Sequence, residues 1–129
     1  MTSRVQLGDA ARTSLAVVRL VNGTLGLVAP ALLVKRTSAD PSTTAPFYAF
    51  RMFGVRTVVL GADLLLLQGP ALRRARVEAV IIHGSDTACA IVGGLRGDLP
   101  KRAARLAAVI SGVNTALALA SWLLSEDRG

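Results

Sequence analysis

Cysteine, histidine and aromatic side chains are scarce in this chain: of 129 residues one is Cys, one is His, and Phe, Tyr and Trp together make 4%. A single thiol, Cys89, excludes an intramolecular disulfide and a Cys-rich zinc site. Set in an apolar run, it is expected to be a small buried hydrophobe. With so few aromatics, and with basic residues not interleaved among them, the chain lacks the surface that grips nucleic acid, although its net charge of +7 would suit one. Acidic residues are few as well, 8 against 15 Lys and Arg. No Gly-rich phosphate loop, Walker motif or Ser-His-Asp arrangement appears, so no catalytic residue is assigned.

Apolar residues are what the chain has in abundance, 52% of the total, with a mean hydropathy of +0.51. That is high for a small domain that must carry its own polar surface, and it points to a membrane protein of one domain over residues 1–129. Thirteen of the 15 basic residues are arginines, mostly at the ends of apolar segments, where they can hold lipid headgroups.

Four apolar segments are expected to cross a bilayer, at about 13–34, 47–68, 75–95 and 103–124. Each has the ~20 residues that a ~30 Å hydrocarbon core requires. The fold class expected is therefore an all-α four-helix transmembrane bundle with antiparallel up-down connections, both termini on one side, multi-pass in a plasma membrane. A cleaved signal peptide is the competing reading of the first segment, because Ala29-Pro30-Ala31 has the small-x-small pattern. The apolar run continues through Leu32-Leu33-Val34, which favours a span.

Between the first two segments, Lys35 to Pro46 reads as a loop rich in Ser, Thr and Pro. Gly69-Pro70 is expected to stop the second helix, with Arg73, Arg74 and Arg76 in a tight basic turn. Gly97 and Pro100 break the chain again before the fourth segment. That segment carries Ser111, Asn114 and Thr115 as interhelical hydrogen-bond formers, with Trp122 as a headgroup-level anchor. Basic residues divide evenly between the two ends, so they do not fix orientation; the arginine triplet favours cytoplasmic termini.

Ionisable residues inside the apolar runs ask for partners, since each costs roughly 2.5–3.5 kcal/mol at the centre of a span. These are Arg19, Arg51, Arg56, Asp63, Glu78, His83 and Asp86. Counting inwards from the turn at 1.5 Å per residue places Arg56 level with Asp86, which predicts an ion pair. The same count puts Arg19 beside Asp63 and Glu78, with His83 next to them. Three arginines then balance three carboxylates. Gly23 and Gly26 on the first helix, and Gly54 and Gly61 on the second, mark faces where backbones can approach closely. His83 is the candidate for proton transfer, being the one side chain that titrates near neutrality. A metal site using His83, Asp86, Glu78 and Asp63 matches no established ligand spacing, so none is assigned.

The pattern Arg51-x-x-Gly54-x-Arg56-x-x-x-x-Gly61, preceded by Arg19-x-x-Asn22-Gly23 and a first span carrying Pro30, resembles the DoxX-like group of small four-helix bacterial membrane proteins. The resemblance runs from about Leu15 to Leu124 and is nearest to members of unknown function. Thr57 stands where such proteins often have an acidic residue. The group's better-known members imply a redox subunit linked to quinone-dependent thiol or sulfur oxidation.

Two functions follow. One is a non-enzymatic accessory or interaction subunit, its partners the lipid bilayer and another membrane protein or a second copy, with the buried charges holding the helices. The other is a membrane redox protein that binds quinone or another ligand in a polar cavity around Arg56, Asp86, His83 and Asp63. The first is preferred.

Overall fold

The computed structural model describes residues 3–36, Ser42 and 45–125. Within them the chain forms five helices and no strand: α1 (Arg4–Val28), α2 (Pro30–Arg36), α3 (Ala45–Leu66), α4 (Gly69–Arg96) and α5 (Lys101–Leu123). Of the loop expected over 35–46, Lys35 and Arg36 end α2, Ala45 and Pro46 open α3, and all but Ser42 between them lie outside the described residues. The charged tail beyond Ser125, with Arg128, lies outside them too.

Local chemistry explains each boundary. α1 starts about nine residues before the expected span, because Ser3 and Gln6 form a capping box: the Ser3 hydroxyl accepts from the Gln6 N–H at 3.2 Å, and Gln6 Oε1 accepts from the Ser3 N–H at 2.8 Å. The expected 13–34 helix is broken at Ala29, whose backbone leaves the helical region ahead of Pro30. α2 consequently bends 102° away from α1.

Gly69-Pro70 opens α4 rather than closing α3. Gln68 is extended, Gly69 has φ 56, and Pro occupies the first turn, where its missing N–H costs nothing. Arg73, Arg74 and Arg76 therefore belong to α4's first turns and not to a loop. α4 stops at Gly97, in the left-handed region at φ 78, with Asp98 N–H bonded to Gly93 O at 2.9 Å and Leu99 packed over Gly93.

α1 packs along α3 and α5, and α5 packs along α4, with a lesser contact between α3 and α4. The α1–α3 contact is antiparallel and close enough to bring backbones together. A Cβ on Gly54 would lie 2.6 Å from Gly23 O, and one on Gly26 would lie 2.6 Å from Phe50 O. Gly61 sits against Ala16 and Arg19 further along the same seam. α4 and α5 are antiparallel too, joined by the Thr87–Thr115 hydroxyl contact at 3.3 Å and by Gly94 against Ala104.

The expectation of a four-helix transmembrane bundle is overturned. Among the described residues α5 alone is long and apolar enough to cross a membrane, and α1 with α2 qualifies only as one broken span. The reason lies in the side chains already singled out: Arg51, Arg56 and Asp63 dilute the apolar content of α3, while Arg73, Arg74, Arg76, Glu78 and Asp86 dilute that of α4. One apolar segment thus stands where four were expected.

The interior inverts the usual pattern. The buried hydrophobic residues are mostly alanines, with Leu15 and Leu64 the large ones, and the cluster Leu15, Ala16, Leu64, Ala79 and Ala118 joins α1, α3, α4 and α5. Beside it are buried Arg19, Thr57, Arg76, His83, Asn114 and Ser121. The large aliphatic side chains point outwards instead, among them Val17, Val21, Val55, Val59, Ile81, Ile91, Val109 and Val113.

Candidate functional site

At the centre, α1 and α4 present Arg19 and His83, each buried. Arg19 Nε donates to His83 Nε2 at 2.5 Å. A ring nitrogen that accepts from a guanidinium carries no proton, so His83 is held neutral with its proton on Nδ1. The Arg19 partner expected from residue counting was Asp63 or Glu78. Neither is there: Glu78 accepts from Arg74 Nε at 2.8 Å on the exposed side of α4. No ion pair involves Asp63 among the described residues. Arg51 is exposed. The expected balance of three arginines by three carboxylates is therefore not formed.

Arg56 and Asp86 do meet, across α3 and α4, with Nη2 3.1 Å from Oδ2. Their side chains are 47% and 33% exposed, so the pair lies at the rim of the interior and not at its centre. Phe53, one turn earlier, puts its ring 5.7 Å from the Arg56 guanidinium, within cation–π range. Between this pair and the Arg19–His83 bond lies a cavity of about 30 Å³, lined also by Asn22, Thr57, Ser111 and Asn114. Asn114 is buried, and among the described residues neither its Oδ1 nor Arg19 Nη2 has a partner. The site so formed has hydrogen-bonding capacity left over.

A second polar cluster involves residues that the sequence placed at the lipid headgroups. Asp9 Oδ1 lies 3.4 Å from Arg12 Nε and 3.4 Å from Arg76 Nη2, tying α1 to α4. Arg12 Nη1 donates to Leu64 O at 2.6 Å, and Arg4 Nη2 donates to Leu123 O at 2.8 Å. Both oxygens belong to the last turn of a helix, where carbonyls lack intrahelical donors and the helix dipole favours a cation. Arg4 and Arg12 thus cap α5 and α3 from α1. The basic charge near those carbonyls was visible in the sequence, but not which helix end lies beside it.

Cys89 is exposed, against the expectation of burial. Gly23, Gly26, Gly54 and Gly61 all lie on the α1–α3 seam. Tight packing there sets the height of Arg19, which follows Ala16 up the same face. Comparison with protein-family models, with curated proteins and with solved structures finds no match to this chain.

Proposed function

We propose that this chain is a multi-pass integral membrane protein of a plasma membrane, non-enzymatic, serving as an accessory or interaction subunit. The observation that carries this reading is the distribution of side chains: many valines, leucines and isoleucines lie on the outside, while the inside is mostly alanine with arginine, histidine, asparagine and serine beside it. In water such an exterior would associate or precipitate; in lipid it is already solvated. α5 is one span, and the bent α1–α2 pair supplies the other segment of suitable length and composition. α3 is held to α1 by the glycine seam, α4 to α1 by the Arg19–His83 bond and to α5 by the Thr87–Thr115 contact, and α3 to α4 by the Arg56–Asp86 pair.

The DoxX-like resemblance also implies a redox subunit with a bound quinone. The cavity argues for the accessory role instead, since about 30 Å³ is far below the roughly 300–1,000 Å³ of small-molecule pockets. The outward surface is then where a neighbouring membrane protein or a second copy binds. Alkaline carbonate extraction of membranes from expressing cells tests the membrane reading, with retention in the pellet expected. Release of a well-behaved monomer into the aqueous phase would overturn it.

A further inference from the structure

We propose that the cavity between Arg19 and Arg56 is a binding site for a small monatomic anion, of which chloride is the common representative. The argument starts from charge. Arg19 is 2% exposed, and its one bonded partner among the described residues, His83, is neutral. The nearest carboxylate in the cavity wall, Asp86, is engaged by Arg56. The wall therefore carries two guanidinium charges against one carboxylate, with Phe53, Leu60, Ile82 and Ile110 as its apolar part. A buried charge with less than a full counter-charge is disfavoured, and Asp86, shared with the half-exposed Arg56, offsets Arg19 only in part.

Hydrogen-bonding capacity points the same way. Arg19 Nη2 is a buried donor with no acceptor, and Asn114 has an unbonded amide atom facing the same space. Turned end for end, the Asn114 amide would offer an N–H in that position, because carbonyl and amino ends are assigned from their surroundings. Thr57 and Ser111, which also line the cavity, carry hydroxyl groups that can donate. Room for one or two water molecules suffices for a halide, whereas an oxyanion such as sulfate is too large. A halide in this place would accept from Arg19 and neutralise the excess charge at once.

Water is the competing occupant, because it could bridge Arg19 Nη2 to Asn114 Oδ1 without any change of the amide. Thermal unfolding of the purified full-length chain in detergent, at fixed ionic strength, separates the two. Sodium chloride and bromide are expected to raise the midpoint saturably by several degrees over sodium gluconate or sulfate, as a ligand bound to the folded state does. Arg19→Gln keeps an N–H for His83 while removing the charge, and should abolish the difference between salts. Asn114→Leu, which fills the cavity, should abolish it too. Should either variant fail to fold, chloride NMR line broadening by the wild-type chain, displaced by bromide and not by gluconate, supports the site directly. Equal midpoints in all four salts with no line broadening, or a folded Arg19→Gln chain that still responds, would overturn the proposal and leave water in the cavity.

Discussion

Arg19 and His83, 64 residues apart in sequence, are joined inside the molecule by a single hydrogen bond of 2.5 Å, from guanidinium Nε to imidazole Nε2. This bond ties α1 to α4, two helices that run in the same direction with little packing of their own, each packed instead on α3 and α5. Its energetic weight is asymmetric. Removing His83 leaves a buried charge with one fewer acceptor, which costs more than the bond itself contributes. His83→Ala is therefore expected to destabilise the chain by about 2–3 kcal/mol. His83→Gln, whose carbonyl can accept in the ring nitrogen's place, should lose less than half of that. Unfolding midpoints in one detergent check both values, and equal losses would show that His83 acts through packing alone.

The Arg56–Asp86 pair lends itself to a double-mutant cycle. If water reached it freely, the coupling would be about 0.2–1 kcal/mol, as for exposed pairs. With side chains 47% and 33% exposed, the pair is expected at the upper end of that range, about 1 kcal/mol. Arg56→Ala and Asp86→Ala should each lower stability in bicelles, and the double variant should regain much of the loss. Additive effects would mean that the pair contributes nothing there.

Which of these contacts the sequence disclosed depended on what residue counting can measure. Arg56 and Asp86 were paired by counting inwards from an expected turn at Gly69 to Ala75; the helices meet earlier, at Leu67-Gln68, which is 11 residues from Arg56 but 18 from Asp86, so the pair forms although the turn it was counted from was misplaced. For Arg19 the count found the height but not the direction around the helix, and so preferred carboxylates to His83. Charge-based pairing also overlooks neutral acceptors, of which imidazole nitrogen and the carbonyls of Leu64 and Leu123 are the cases here. The glycine seam was legible from spacing. Gly69-Pro70 was misread because the same dipeptide suits a helix end and a helix start, and only the extended Gln68 before it decides. The Ser3-x-x-Gln6 box was overlooked in the sequence; read as a capping motif, it would have begun α1 at its observed residue.

Glycines on and off the seam should respond oppositely to alanine. At Gly54 a methyl would meet the Gly23 carbonyl and the Leu27 backbone at 2.6 and 2.8 Å, both parts of a helix that cannot yield locally. Gly54→Ala should push α1 from α3 and destabilise by about 2 kcal/mol, within the range for overpacked sites. At Gly84, in the middle of α4, nothing lies within 4 Å of the added methyl. Gly84→Ala should therefore stabilise, by about 0.5–1 kcal/mol from helix propensity. Thermal melts of the two variants side by side test the seam, and a neutral Gly54→Ala would remove the close approach on which it rests.

The two ends of the molecule should differ in their attraction to anionic lipid. At the end where α1, α3 and α5 meet near Leu64 and Leu123, Arg4 and Arg12 are committed to helix carbonyls, Arg74 to Glu78 and Arg76 to Asp9. At the other end Lys35, Arg36, Lys101, Arg102 and Arg105 are exposed. Cations near a membrane surface gain about 1 kcal/mol each from acidic headgroups. Replacing Lys101, Arg102 and Arg105 together by Gln should thus strip bound anionic phospholipid from the detergent-purified protein, seen as fewer lipid adducts in native mass spectrometry. Replacing Arg4 and Arg12 by Gln should leave the adducts in place while lowering the unfolding midpoint, because those two hold helix ends and not headgroups. The reverse pattern, with adducts lost from Arg4 and Arg12, would place the lipid-binding charge at the opposite end.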